Sequence, residues 1–187
     1  AGVGANVTLA LGGKMDMPFQ TPGKSELIWD GDLNPEGVAV KASGKYVFAT
    51  VGGFWVEERS TSADTSLVGL QGGFDLKPGS TNLKIGLSYY DYGAVQGRAF
   101  IFDSASSFGN SADLAGTKYK WDYELLNAFI DWSLKLGTMP ASVFFDWVDN
   151  GSPTADNKGW LVGFKLNKTK AKGTWDFRYN LREIEKD

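Results

Sequence analysis

The residues of this chain that could do chemistry are few, and most of them offer hard oxygens. One stretch resembles a metal site: Asp30-Gly31-Asp32-Leu33-Asn34-Pro35-Glu36, in which Asp30, Asp32 and Asn34 alternate as Ca²⁺ ligands would. Two positions depart from a calcium-binding loop. Pro35 stands where a glycine must make the sharp turn, and Lys41 where a bidentate glutamate should complete the shell. The stretch reads better as turn chemistry, because Asp and Asn side chains bond their own backbone two residues on. Glu57 and Glu58 are adjacent, so on a strand they point to opposite faces and cannot act as a carboxylate pair. Gly13-Lys14 is not a phosphate loop, since Thr8 stands where the upstream glycine belongs.

The absences narrow the chemistry further. There is no histidine, which removes the usual general base, the commonest metal ligand and the Ser-His triad together. There is no cysteine, so disulfides and thiolate metal sites have nothing to form from. A net charge of −3 leaves no basic footprint for nucleic acid. The expectation is a protein that is not an enzyme, has no cofactor and holds no metal.

What remains is periodicity. In Leu125–Val148 the residues Leu126, Ala128, Ile130, Trp132, Leu134 and Leu136 share one parity, while Asn127, Asp131, Ser133 and Lys135 share the other. After the Gly137-Thr138-Met139-Pro140 turn, Ala141, Val143, Phe145 and Trp147 resume the apolar parity, with Ser142 and Asp146 opposite. A period of two over such a length is a strand with one apolar and one polar face. The same pattern recurs over 3–14, 37–42, 45–57, 67–76, 83–92, 160–166 and 175–182, which makes about nine strands and no helix. No run of about 18 apolar residues exists, which excludes a transmembrane helix and says nothing against a β-barrel.

Long and short connections strictly alternate. The long ones are 15–35, 58–65, 93–122 and 149–158; the short ones lie near 43–44, 77–81, 137–140 and 167–173. An up-and-down meander then carries every long loop at one end and every tight turn at the other. The pattern predicts an all-β, antiparallel, up-and-down transmembrane β-barrel, a single unit over 1–187 with the long loops external. Aromatic residues sort accordingly: Trp55, Tyr89, Tyr92, Trp121, Tyr123, Trp147 and Trp160 adjoin long loops, and Tyr46, Phe74, Trp132 and Trp175 lie nearer the short turns. Two such belts are what two membrane interfaces select.

In a membrane barrel the apolar parity meets lipid and the polar parity must enclose water. The expected pore-lining residues are Lys14, Lys41, Gln71, Asp75, Lys84, Ser88, Asn127, Asp131, Lys135, Asp146, Lys165, Asp176, Arg178, Asn180 and Arg182. Their signs are mixed, so modest ion selectivity is expected, with Arg178 and Arg182 forming the densest positive patch.

Three words carry a resemblance: Gly12-Gly13-Lys14-Met15-Asp16-Met17-Pro18-Phe19, Leu27-Ile28-Trp29-Asp30-Gly31-Asp32-Leu33-Asn34-Pro35-Glu36-Gly37 and Gly53-Phe54-Trp55-Val56-Glu57-Glu58-Arg59. Together with Ser88-Tyr89-Tyr90-Asp91-Tyr92 and Arg178-Tyr179-Asn180-Leu181-Arg182-Glu183, they resemble the "putative porin" family of Gram-negative outer-membrane proteins. Met17 stands where a family Asn is expected. The resemblance implies an outer-membrane channel for passive diffusion of small solutes or ions, and allows a long loop folded inward as a constriction. It implies contact with the lipid bilayer and lipopolysaccharide, and leaves open a homo-oligomer, the trimer being the usual porin form.

Family members are longer, an odd strand number suits no single-chain bacterial barrel, and the chain lacks both a basic leader and a terminal aromatic. These features predict an internal segment of a larger barrel. The rival reading is a soluble all-β ligand- or carbohydrate-binding module that uses Trp and Tyr as stacking platforms. A third is an adhesive surface protein working through the loop at 93–122. The first two make opposite predictions for Leu126, Ile130, Val143, Phe145 and Phe164: exposed in the porin, buried in the module.

Overall fold

The structure, a computed structural model, describes residues 5–60 and 62–187; the expected start of the first strand at Val3, and Thr61, lie outside them. The described residues form one sheet of nine strands in the order in which they occur along the chain. These are β1 (Ala5–Lys14), β2 (Glu36–Gly44), β3 (Val47–Glu57), β4 (Thr65–Leu76), β5 (Asn82–Gly93), β6 (Tyr123–Leu136), β7 (Met139–Asn150), β8 (Lys158–Asn167) and β9 (Asp176–Ile184). Every neighbouring pair is antiparallel. The only helical element among the described residues is a 3₁₀ turn at Pro22–Lys24. The sheet is open, since β1 pairs only with β2 and β9 only with β8.

Long and short connections alternate as far as β7, but the expected order fails after it, where β8 and β9 are joined by a longer connection than β7 and β8; β6 and β7 are joined by one of the two tightest turns. There only Gly137 and Thr138 lie between the strands, and Gly137 takes φ +64°, a conformation two-residue hairpins require and glycine adopts without strain.

The sheet curls. Strands β3 and β6 are separated by β4 and β5, so a flat sheet would hold them about 14 Å apart. Yet the rings of Phe48 and Phe129 stack with centroids 6.4 Å apart. They meet because Phe48 pairs with Gly73, Gly73 with Gly86, and Gly86 with Phe129. A Cβ on Gly73 would come within 2.7 Å of the Phe48 ring, and one on Gly86 within 2.2 Å of Phe129. The two bare backbones are the floor on which the rings lie.

The two faces differ as the alternation predicts. On the convex face Leu126, Ile130, Val143, Phe145 and Phe164 are between 40% and 48% exposed, and Val38, Val51, Val68, Leu70, Phe74 and Leu87 are exposed with them. This is the exposure expected of them on the porin reading and not on the soluble-module one. The concave face buries Gln71, Ser88, Asn127 and Asp146 together with Phe54, Leu67, Tyr90, Phe144 and Leu161.

Two expectations about parity need correction. A bulge between Val7 and Leu9 inserts Thr8 into β1, so from there on Leu9, Leu11 and Gly13 face the concave side. Lys14, paired with Glu36 and through it aligned with Trp55, therefore falls on the convex parity at the rim instead of the concave one. Tyr92 and Tyr123 also leave the predicted aromatic belt. They pair with each other on the concave face and pack edge-on, with centroids 5.9 Å apart. Their parity is that of Tyr90 and Leu125, which nearness to a long loop had masked.

Candidate functional site

The concave face is organised in cross-strand rows. Lys41, Thr50, Gln71, Ser88 and Asn127 lie side by side on β2 to β6. The last three, all buried, are chained: Gln71 Nε2 donates to Ser88 Oγ at 3.0 Å, and Ser88 Oγ to Asn127 Oδ1 at 3.2 Å. Asn127 Nδ2 in turn donates to Asp146 Oδ1 at 2.7 Å. Buried polar groups carry a desolvation cost unless they are paired, and this chain pairs them.

The cover over this ladder is the long connection between β1 and β2, which folds inward across the concave face. Its apolar residues seat it. Phe19 packs edge-on against Tyr90 with centroids 5.0 Å apart, Trp29 against the same ring at 4.8 Å, and Phe19 against Phe54 at 6.1 Å. Its polar contacts then fix the register. Gln20 N–H donates to Gln71 Oε1 at 2.8 Å, and Gln71 Nε2 donates to the Gln20 carbonyl at 2.9 Å. Lys84 Nζ reaches Gln20 Oε1 at 3.0 Å, Gly23 N–H donates to Asp131 Oδ2 at 2.9 Å, and Arg178 Nη2 donates to the Lys24 carbonyl at 2.9 Å. At the tip Gly23 takes φ +56° and lies flat on Phe144, where a Cβ would stand 2.6 Å from the ring. Only glycine meets both demands.

Thus four expected pore-lining residues, Gln71, Lys84, Asp131 and Arg178, grip the inward loop, and Ser88, Asn127 and Asp146 lie beneath it. Asp75 pairs with Lys84 at 3.7 Å and accepts a hydrogen bond from Asn82 at 2.7 Å. Lys41 is half-buried, and Lys135 is exposed at the short-turn end. On β9, Asp176, Arg178, Asn180 and Arg182 share the concave parity and are exposed, the loop meeting this strand only at the Arg178 guanidinium. The sequence shows the concave polar residues but not the loop's docking residues. The available signal is the concentration of Met15, Met17, Phe19, Leu27, Ile28 and Trp29 in a connection that a solvated loop would not need to make so apolar.

The calcium candidates are occupied locally. Asp30 Oδ1 accepts the Asp32 N–H at 3.0 Å, and Asn34 Nδ2 donates to the Asp32 carbonyl at 2.9 Å. This is the turn chemistry expected of them.

At the long-loop rim lies a cavity of about 1410 Å³ bordered by Trp29, Tyr92, Phe108, Tyr119 and Tyr123. Its roof is the connection between β5 and β6, which is a folded structure in its own right: bridges join Ala99 to Lys118 and Ala112 to Tyr119. Val95, Phe100, Ile101 and Tyr119 are buried within it. Burial raises the Tyr119 phenol above its ordinary pKa. The Ser111 N–H and hydroxyl both bond the Asp187 carboxylate, which ties this connection to the chain beyond β9.

The fold is that of an antiparallel all-β meander, with a bare apolar convex face and a concave face that sets buried polar residues beside a hydrophobic cluster under an inward-folded loop. A family described as "Putative porin" matches residues 3–124, more than half of the chain, and the chain belongs to that family. Searches of curated proteins and of solved structures gave no match.

Proposed function

We propose that this chain forms the wall of an outer-membrane porin, a transmembrane β-barrel enclosing a water-filled channel through which small solutes or ions diffuse passively. The observation that carries the reading is the convex apolar band, continuous over the strands and left bare, set against a concave face rich in amides, hydroxyls and charges. A lipid environment accounts for the first and water for the second. The convex side meets lipid, with lipopolysaccharide at the long-loop end. The short turns lie on the periplasmic side. The loop between β1 and β2 constricts the lumen, and the concave residues set what passes by width and charge. No catalytic step and no cofactor enters this function, and porin-like trimers are the assembly to look for.

The test is permeation. Liposomes carrying the full-length protein, placed in isosmotic sugars of increasing size, should swell at rates that fall with solute size. Liposomes that remain impermeable to every solute, with the protein shown to be inserted, contradict the proposal.

A further inference from the structure

We infer that the passage beside the inward loop is an anion filter built from Lys24, Lys165 and Arg178, an inference that rests on the channel reading above. Two of these cations share one ring, and Lys24, exposed, follows Gly23 at the loop tip beside them. Gly23 lies against Phe144, Lys165 Nζ stands 5.6 Å from the Phe144 centroid and Arg178 Cζ 5.8 Å from it. Arg178 also donates to the Lys24 carbonyl at 2.9 Å, which fixes the loop tip beside β9. A cation over a ring face is attracted by its quadrupole, so Phe144 can hold two positive groups close together.

The concave face carries acids as well: Asp75, Asp131, Asp146 and Asp176 stand against Lys41, Lys84, Lys135, Lys165, Arg178 and Arg182, so the formal charge of the strands on this face is positive. The acids are spread along the face and each has its own partner. Asp131 accepts the Gly23 N–H at 2.9 Å, and Asp75 is paired with Lys84 at 3.7 Å. Asp146 is 2% exposed and accepts from Asn127, and Asp176 accepts from the Thr169 N–H and hydroxyl at the short-turn end. Among the described residues the ion pairs are Lys84–Asp75 and Lys158–Asp149, so none of the three cations is held in one; Asp131, paired in register with Phe144, acts on Lys165 across a gap and offsets only part of the positive charge. Arg182, on the same face of β9 as Arg178, extends the positive track toward the long-loop end.

Fixed charge of one sign at a narrow passage with low-dielectric walls raises the local concentration of the opposite ion. The species favoured are small anions: chloride, inorganic phosphate and short carboxylates.

The experiment is the zero-current potential of the full-length protein in a planar bilayer across a potassium chloride gradient. The sign expected is that of chloride preference. Lys24→Glu combined with Arg178→Glu should move it toward potassium, whereas Lys77→Glu, on an exposed turn away from the cluster, should leave it unchanged. Heat-dependent gel migration confirms that each variant is folded. Conductance with potassium preference, or with none, overturns the anion filter and leaves the channel standing. Chloride preference that the double variant does not alter overturns its assignment to this cluster. Absence of conductance overturns both readings.

Discussion

Gln71 holds Gln20 as a neighbouring strand would: the side-chain carbonyl takes the Gln20 N–H at 2.8 Å, and the side-chain amide gives a proton to the Gln20 carbonyl at 2.9 Å. One side chain thus satisfies both backbone groups of a residue that no strand pairs, and does so with no exposure of its own. The inward loop can lie across the concave face because its backbone has somewhere to bond. Replacing Gln71 by Leu strands both groups, at about 1–3 kcal/mol for an unsatisfied buried group. We predict that the loop lifts in this variant. Single-channel conductance should rise, and the midpoint of urea unfolding in liposomes should fall.

The stacked pair Phe48 and Phe129 makes a second prediction. Gly86→Ala would drive a Cβ to 2.2 Å from the Phe129 ring, an overpacking expected to cost about 1–3 kcal/mol. In a Phe129→Ala background the obstruction is gone, and the same substitution should cost much less. A double-mutant cycle on urea unfolding should give a coupling above about 0.5 kcal/mol. Additive effects would mean that the ring does not lie over the glycine.

Charge on the convex face tests where the bilayer sits. Ile130, in the middle of β6, is 43% exposed, and Leu136, at its short-turn end, is 51% exposed. On a water-facing surface Arg at either site should shift stability by no more than about 0.5 kcal/mol. In a bilayer, Ile130→Arg should cost about 2–4 kcal/mol near the midplane, and Leu136→Arg about 0–1 kcal/mol near the interface. Equilibrium unfolding from lipid vesicles separates the two cases.

Much of the fold is legible in the sequence because a period of two is a local property. The alternation from Leu126 to Trp147 places each residue on its face whatever the strand pairs with, and the long and short connections follow as far as β7. Three features are not local. The bulge at Thr8 inverts the parity of Leu9 and Leu11 without any signal in the residue types, since both are apolar on either face. Phe48, Gly73, Gly86 and Phe129 form one row only once the registers of three strand pairs are known. The connection between β1 and β2 is readable as long, but its placement depends on partners such as Asp131 and Arg178, far along the chain. The candidate site divides in the same way. The concave residues follow from alternation, while the meeting of Lys165 and Arg178 at Phe144 follows from the register of β7, β8 and β9.

The central claim is that lipid lies on one parity of each strand and water on the other, and β9 tests it most directly because the inward loop does not cover it. The chain has no cysteine, so each introduced thiol is the only one. Single cysteines placed in turn from Phe177 to Arg182, in proteoliposomes, would be challenged with a charged, membrane-impermeant thiol reagent. The prediction is alternation: fast labelling at Arg178, Asn180 and Arg182, and protection at Phe177, Tyr179 and Leu181. Labelling that is uniform along the strand, or alternation of the opposite phase, would contradict a channel walled by this sheet.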